Sequence, residues 1–476
     1  MSLNVVIAVD KNYGIGKNGK LPWYIKDELN VFREKTLDSV LIMGRKTLEK
    51  LPKLDRRTLF CVTKSINLEF NNDSVFAFSN FEEAYEQAKC LNKKIFIAGG
   101  NQLYDYIFRK YKEDITLHIS FISEKYDCDT YFNKEHLKNF YISEETKYDK
   151  FTHYIMKYQK YGERQYLDLV KDILENGERR HTRNAETISD FCKHLKFDLR
   201  EGFPLLTTKK MFLKGIIEEL LFFIRGDTQS KILEEKGINI WKGNTNREFL
   251  DANGFKDRKE GEMGPMYGSI WRSFNSLSSE KEKIYLQDSK HVQFHYKSYN
   301  KDNMSYNTGE VESINFDIDQ LKFVINEIKK NPTSRRILMT SFNPAQVEEG
   351  VLWPCHSITI QFYVQDGFLD MFCYNRSNDN FHGTPFNIAS SSLLLMIISQ
   401  LTKLIPRFVN ISQGDSHIYG EHIDAIKEQI LRIPYVFPKL ILPSFETLEE
   451  VEKLTFNDFK IENYQYYPTI KMPMIA

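Results

Sequence analysis

Long apolar runs are missing from this chain. Nowhere among its 476 residues do about 18 apolar side chains follow one another, so no membrane span is expected. The opening MSLNVVIAVDKN has neither a basic start nor a long apolar stretch, and no secretion signal is expected from it. Charge of one sign is missing too. The 65 Lys and Arg residues balance 65 Asp and Glu, so bulk charge does not argue for DNA, RNA or an anionic membrane as the main partner. Cysteine is scarce: six thiols, at positions 61, 90, 128, 192, 355 and 373, form no C-x-x-C pair. Neither a zinc site nor a disulfide framework is suggested, and a reducing, cytoplasm-like compartment is expected.

What is present is ordinary globular sequence, 41% apolar and 27% charged, too long for one core. Residues 1–160 alternate β-branched runs (NVVIAV, SVLIMG, TLFCVT, KIFIAGG) with helical patterns (DELNVFREKT, NFEEAYEQAKCL). That alternation predicts an α/β domain with a mixed, mostly parallel sheet and helices on both faces. From residue 164 to 476 the pattern changes. Two strongly apolar helices, LKGIIEELLFFIRG and SSSLLLMIISQLTKL, bracket long strands, which predicts an α+β domain with a large sheet layered with helices. Residues 275–313 are polar and patternless and read as a surface insertion.

In the first region GIGKNG (14–19) satisfies G-x-G-x-x-G, but KLPW follows where a dinucleotide fingerprint needs a helix, so a Gly-rich loop is preferred. Glu28 starts a helix among Trp23, Leu29 and Phe32. Alone it is either a solvated cap residue or a desolvated anion that pairs with a ligand. Read together, GIGKNGKLPW, Glu28, IMGRKT, RRTLFCVTK, FIAGGNQLY and DTYF resemble dihydrofolate reductase in order and spacing over residues 3–158. The resemblance implies NADPH-dependent reduction of dihydrofolate. It would have Glu28 anchor the pterin, Ile7, Ala8, Leu29 and Phe32 line the folate pocket, and Arg56 grip the glutamate carboxylate. Gly16, Arg45, Lys46, Thr47, Thr63, Lys64, Gly99, Gly100, Gln102 and Leu103 would hold the cofactor, the cations facing its 2′-phosphate. Leu117 stands where the family usually has a threonine bonded to the pocket carboxylate.

In the second region VLWPCHSITI (351–360) places Cys355 behind a proline. It could be a buried thiol, half of a dyad with His356, or a nucleophile activated from elsewhere. Neighbours on a strand point to opposite faces, which disfavours the dyad. FPLLTTKK, GIIEELLFFIRGDT, GPMYGSIWR, SRRIL, PCHS, RSNDNFHGTPFNIA, GDSHIY and PTIKMPM resemble thymidylate synthase across 164–476, apart from the insertion.

That second resemblance implies that Cys355 adds to dUMP, with 5,10-methylenetetrahydrofolate as cosubstrate and no metal. Arg183, Arg335, Arg336 and Arg376 would hold the 5′-phosphate, one pair reaching from the other subunit of a homodimer; Arg180 is an alternative to Arg183. Glu219 and Tyr267 would serve proton transfer, and Asn387 would read the uracil edge. His417 and Tyr419 would bind the ribose, with Ser377 and Asp379 nearby, and Trp241, Asn244, Asp379 and Phe386 would meet the folate. The chain departs from the family at Asn375, usually glutamine, and at His382, usually leucine in the folate wall. As a whole it resembles the two families fused, reductase first. Rival expectations are a reductase-like part serving only as a scaffold, and an RNA-binding regulator, which the zero net charge does not support.

Overall fold

Val- and Ile-rich runs become strands because branched side chains fit a pleated, buried surface. The computed structural model describes residues 3–64, 75–182, 185–274 and 318–473, with the strands Tyr296–Asn300 and Asn303–Asn307. The chain divides into two units, residues 1–165 with 431–436, and 166–430 with 437–476.

The first unit holds an eight-stranded sheet of β1 (Leu3–Val9), β2 (Val40–Gly44), β3 (Thr58–Val62), β4 (Val75–Phe78), β5 (Ile95–Ile97), β6 (Ile115–Ile122), β7 (Phe140–Lys147) and β8 (Phe151–Tyr158), in the order β4-β3-β2-β5-β1-β6-β8-β7. The six strands from β4 to β6 are parallel; β8 and β7 close the sheet antiparallel. Helix α1 (Lys26–Thr36) follows β1, and α2 (Asn101–Tyr111) starts directly after Gly100. Because β3, β2 and β5 are adjacent and parallel, their carboxyl ends lie side by side, where sheets of this kind bind ligands. Leu431–Val436 belongs to this unit: the Ile142 amide donates to the Pro434 carbonyl (2.8 Å), and Val436 N–H to the Ile142 carbonyl (3.0 Å).

In the second unit six strands run β9 (Glu178–His181), β10 (Glu186–Asp198), β11 (Leu338–Thr340), β12 (Thr359–Gln365), β13 (Phe368–Asp379) and β14 (Ile405–Tyr419), in the order β9-β10-β14-β13-β12-β11. Only β13 and β14 pair in parallel. One face of the sheet carries Ile360, Phe362, Leu369, Met371, Val409 and Ile411 into the core. Helices α3 (Leu213–Arg225) and α5 (Gly383–Thr402) belong to that core, and eleven α3 residues, Leu213 and Gly215–Ile224, are buried. Each buried Leu, Ile or Phe there stabilises the fold by about 2 kcal/mol. Helix α5 is long and apolar enough to cross a membrane by length and composition, yet its residues are mostly packed inside the unit. The opposite sheet face exposes Tyr363 and Phe372. The expected 275–313 insertion falls outside the described residues except for the paired strands Tyr296–Asn300 and Asn303–Asn307.

Candidate functional site

In the first unit Glu28 occupies the first turn of α1 and is only 6% exposed. No described donor bonds its carboxylate; burial alone pushes the carboxyl up to about 7. Leu117, fully buried on β6, supplies no hydroxyl in this chain. Ala8 and Phe32 belong to the apolar clusters on the α1 side of the sheet, and Leu29 is half-buried. By strand alternation the Ile7 side chain packs with Leu3, Val5 and Val9 on the other face of the sheet, while Val6 shares the face of Ala8 and clusters with Phe32.

The two adjacent arginines also divide. Arg56, with φ 59°, sits exposed and forks onto Asp38. Arg57 is 7% exposed, its guanidinium fixed by the Thr36 hydroxyl (3.1 Å), the Asp55 carbonyl (2.9 Å) and the Arg33 carbonyl (3.0 Å). Such anchoring orients a cation for a planar anion far better than a solvent-exposed pair does.

The cofactor candidates gather at the carboxyl ends of β2, β3 and β5. Arg45, Lys46 and Thr47 start the helix after Gly44, Thr63 and Lys64 follow β3, and Gly99–Gly100 leads into α2 with Gln102 and Leu103 in its first turn. Gly99 has φ +102°, and a Cβ on Gly100 would come within 3.0 Å of the Thr47 hydroxyl. Two glycines at a helix start, with no Cβ in the way, let an anion such as a pyrophosphate approach the backbone N–H groups. Lys46 and Lys64 are exposed, whereas Arg45 is paired with Glu49 at 3.1 Å. Gly16 is buried in the glycine-rich loop.

In the second unit the Tyr267 hydroxyl lies 3.4 Å from the Cys355 sulfur and accepts a hydrogen bond from the Cys355 amide at 3.0 Å. Tyr267 takes φ 40°, ψ −102°, in a region non-glycine residues rarely occupy, just before the short helix α4 (Gly268–Arg272). The next residue packs closely as well: a Cβ on Gly268 would lie 2.2 Å from the Phe223 carbonyl oxygen. The Tyr267 ring stacks on His356 (4.5 Å) and on Phe223 (5.0 Å). His356 is thus a packing partner, its pKa lowered to about 4 by burial.

Glu219, on α3, is 8% exposed and accepts from the Trp241 indole N–H at 2.9 Å. Burial raises its carboxyl to about 7, where it can give or take a proton near neutrality. Glu218 points elsewhere, to Lys236 at 2.6 Å. Arg376 donates to the carbonyls of Pro354 (3.2 Å) and Trp353 (3.5 Å), and the Ser377 amide donates to the Cys355 carbonyl (3.1 Å), so β13 holds the loop that carries Cys355. Burial lifts the Cys355 thiol above its ordinary value, more than the Tyr267 hydrogen bond and the Arg376 charge lower it. The arginine alone does not make this sulfur a thiolate.

Further along the same strand pair, Asp379 is the register partner of His417, whose Nδ1 meets Asp415 at 3.0 Å, and the Tyr419 ring lies 5.1 Å from the His417 ring. Asp415 also receives Arg180 (2.9 Å). Asn387 and Phe386 sit in the first turns of α5, and Asn244 lies on the short helix after Trp241. Asn375 is 1% exposed and accepts from the Ser357 amide at 2.8 Å, so the shorter side chain braces the loop that carries Cys355, a role the sequence did not signal. Arg335 and Arg336 are exposed and form no ion pair among the described residues. Arg183 lies outside the described residues. No three His, Cys, Asp or Glu side chains gather as metal ligands among the described residues.

Comparison with known proteins finds two families in succession along the chain. The dihydrofolate reductase family model matches residues 2–163, and the thymidylate synthase model residues 164–476. A bifunctional dihydrofolate reductase-thymidylate synthase of Paramecium tetraurelia is 34% identical over 99% of this chain and 98% of the relative. That of Zea mays is 34% identical over 99% and 96%. Thymidylate synthase 1/2 of Encephalitozoon cuniculi is 41% identical over 67% of this chain and 98% of its own length. With a buried carboxylate in one unit, a phenol-braced thiol in the other, and relatives matched end to end, the chain belongs to the bifunctional dihydrofolate reductase–thymidylate synthases.

Proposed function

We propose that the second unit methylates dUMP through Cys355 and that the first returns the resulting dihydrofolate to tetrahydrofolate through Glu28. The observation that carries this reading is the Tyr267 phenol set 3.4 Å from the Cys355 sulfur, with the buried Glu219 carboxyl near enough for its charge to act on both. The sulfur loses its proton and bonds to C6 of dUMP, and C5 then attacks the methylene of 5,10-methylenetetrahydrofolate. The methylene–N10 bond opens as C5 attacks; the C5 proton then leaves to a base for which Tyr267 and Glu219 organise the path, and the methylene–N5 bond breaks, freeing tetrahydrofolate and leaving an exocyclic methylene on C5. A hydride from the folate completes the methyl group as the sulfur departs, giving dTMP and dihydrofolate. Asn387 would bond the uracil edge and His417 and Tyr419 the ribose; Trp241, Asn244, Asp379 and Phe386 would border the folate.

In the first unit NADPH supplies hydride when bound. The residues at the ends of β2, β3 and β5 would hold it, and Lys46 and Lys64 leave positive charge for its 2′-phosphate. Glu28 would pair with the pterin and favour its protonated form. For the glutamate carboxylate the proposal moves from Arg56 to Arg57. Arg57→Leu is expected to raise KM for dihydrofolate about ten- to a hundred-fold, the worth of a charge-assisted bidentate contact. Arg56→Leu should change it less than about two-fold, since only an exposed pair with Asp38 is lost. Steady-state NADPH oxidation by the full chain checks both, and equal effects would return the role to Arg56.

The exposed sheet face with Tyr363 and Phe372 supports a homodimer through the synthase units. Arg335 and Arg336 lie just before β11, on the edge of that sheet and with no ion pair among the described residues, as residues offered to a partner's nucleotide would be. Mixing two inactive full-length variants, Cys355→Ser and Arg335→Ala/Arg336→Ala, under subunit exchange should restore activity in roughly a quarter of the sites. No restoration would refute the shared site. All six cysteines are free, which supports a cytoplasmic location.

A further inference from the structure

The chain beyond Glu462 forms no helix or strand through Pro473, yet it is tied down along its length. The Tyr464 hydroxyl donates to the Leu206 carbonyl (2.8 Å) and accepts from the Met211 amide (3.0 Å); the Tyr467 amide donates to the Thr207 carbonyl (2.8 Å). Ile470 and Met472 pack on the core. The last anchor is the Pro473 carbonyl oxygen, which has two imidazoles on it, His422 Nε2 at 2.9 Å and His382 Nε2 at 3.2 Å. Their rings stand 5.0 Å apart and nearly perpendicular, so each can use one lone pair of the oxygen.

The two histidines differ in setting. His422 is fully buried, with its Nδ1 3.9 Å from Asp379. His382 is half-exposed at the end of the Asp379–His382 loop, where the family usually has a leucine, which can donate nothing. Lys209 closes the same loop from behind, donating to the Phe381 carbonyl and lying 3.7 Å from the Phe381 ring centre. Asp379 and Lys209 are the charged groups facing the pair. An Nε2–H donates from neutral imidazole and from imidazolium alike, so the contact does not depend on His382 being charged.

We infer that His382 is a positioning residue: as the second donor to Pro473 it latches the C-terminal segment to the loop that walls the folate site. The inference rests on the synthase reading of that loop. It makes tail and wall one unit when methylenetetrahydrofolate binds, and one net hydrogen bond corresponds to about a five-fold shift in the latched population.

The test uses the full chain with His382→Leu, which keeps apolar bulk, and His382→Gln, whose amide N–H can replace Nε2–H. Carboxypeptidase should release the C-terminal alanine from unliganded His382→Leu about five-fold faster than from the parent. KM for methylenetetrahydrofolate should rise by a similar factor, with dUMP affinity unchanged and dihydrofolate reduction normal as a control for folding. His382→Gln should restore both values. Release at the parental rate in His382→Leu overturns the latch. So does a raised KM without faster release, which would mean that the imidazole meets the folate directly. Failure of the synthase reading itself would show separately, as a parent enzyme whose Cys355 forms no covalent nucleotide adduct.

Discussion

Full-length chain carrying Cys355→Ser is expected to make dTMP at least about 10³-fold more slowly than the parent while reducing dihydrofolate at the parental rate. Serine keeps the backbone contacts that seat residue 355, its amide donating to Tyr267 and its carbonyl accepting from Ser377, and its hydroxyl can still meet the Tyr267 phenol as the sulfur does. What changes is the attacking atom. A hydroxyl is a far weaker nucleophile near neutrality than a thiol, and among the described residues Arg376 is the cation whose charge acts on this position. The Tyr267 phenol and the Glu219 carboxyl are both pushed upward by burial and remain protonated or half-protonated at pH 7, so neither makes up the deficit. Paired assays of dTMP formation and NADPH oxidation on one preparation check the prediction. Loss of both activities would indicate misfolding; loss of neither would remove Cys355 from the chemistry.

The second large effect belongs to Glu28. Glu28→Gln should cut dihydrofolate reduction at pH 7 by about 10² or more, because the charge that holds the pterin in its protonated form disappears from a water-poor site. The same substitution has an opposite effect on stability. The carboxyl has its ordinary value of 4.5 in the unfolded chain and about 7 when folded. Between those limits the folded state holds the extra proton. Stability is therefore fully present below about 4.5 and falls as the pH rises through about 7. At pH 8 the penalty is on the order of 3 kcal/mol, and glutamine, never charged, escapes it. Unliganded Glu28→Gln should consequently show the higher melting temperature at pH 8 and no advantage near pH 4. A variant less stable than the parent at pH 8 would mean that the carboxylate has an ionic partner.

How far the chain could be read without coordinates depended on the kind of signal. The alternating first region was legible because hydrophobic periodicity is local: TLFCVT and DELNVFREKT become Thr58–Val62 and Lys26–Thr36. Helix α5 was placed at 390–404 but starts at Gly383, since Pro385 falls in the first turn, where a missing N–H costs nothing. In the β-branched and apolar stretch after Arg336 only Leu338–Thr340 pairs, with Thr359–Gln361 of β12. Cys355, Glu219 and Glu28 were legible as residue types in ordered motifs. Their surroundings were not, because burial is a property of the whole fold: the Tyr267 hydroxyl on the sulfur comes from 88 residues away. Arg56 and Arg57, like Ile7 and Val6, differ by a one-residue step, and that step reverses the face a side chain meets. Nor does sequence reveal that His382 and His422 share one carbonyl contributed by Pro473.

The most direct test of the central claim is mass spectrometry of the full-length enzyme after incubation with 5-fluoro-dUMP and methylenetetrahydrofolate. Fluorine at C5 cannot leave as a proton does, so the sequence of bonds stops with sulfur, pyrimidine and folate joined. A peptide carrying that ternary adduct on Cys355, absent when methylenetetrahydrofolate is omitted and absent from Cys355→Ser, is the result expected. Unmodified Cys355 in an enzyme still making dTMP, or the adduct on another residue, would contradict it.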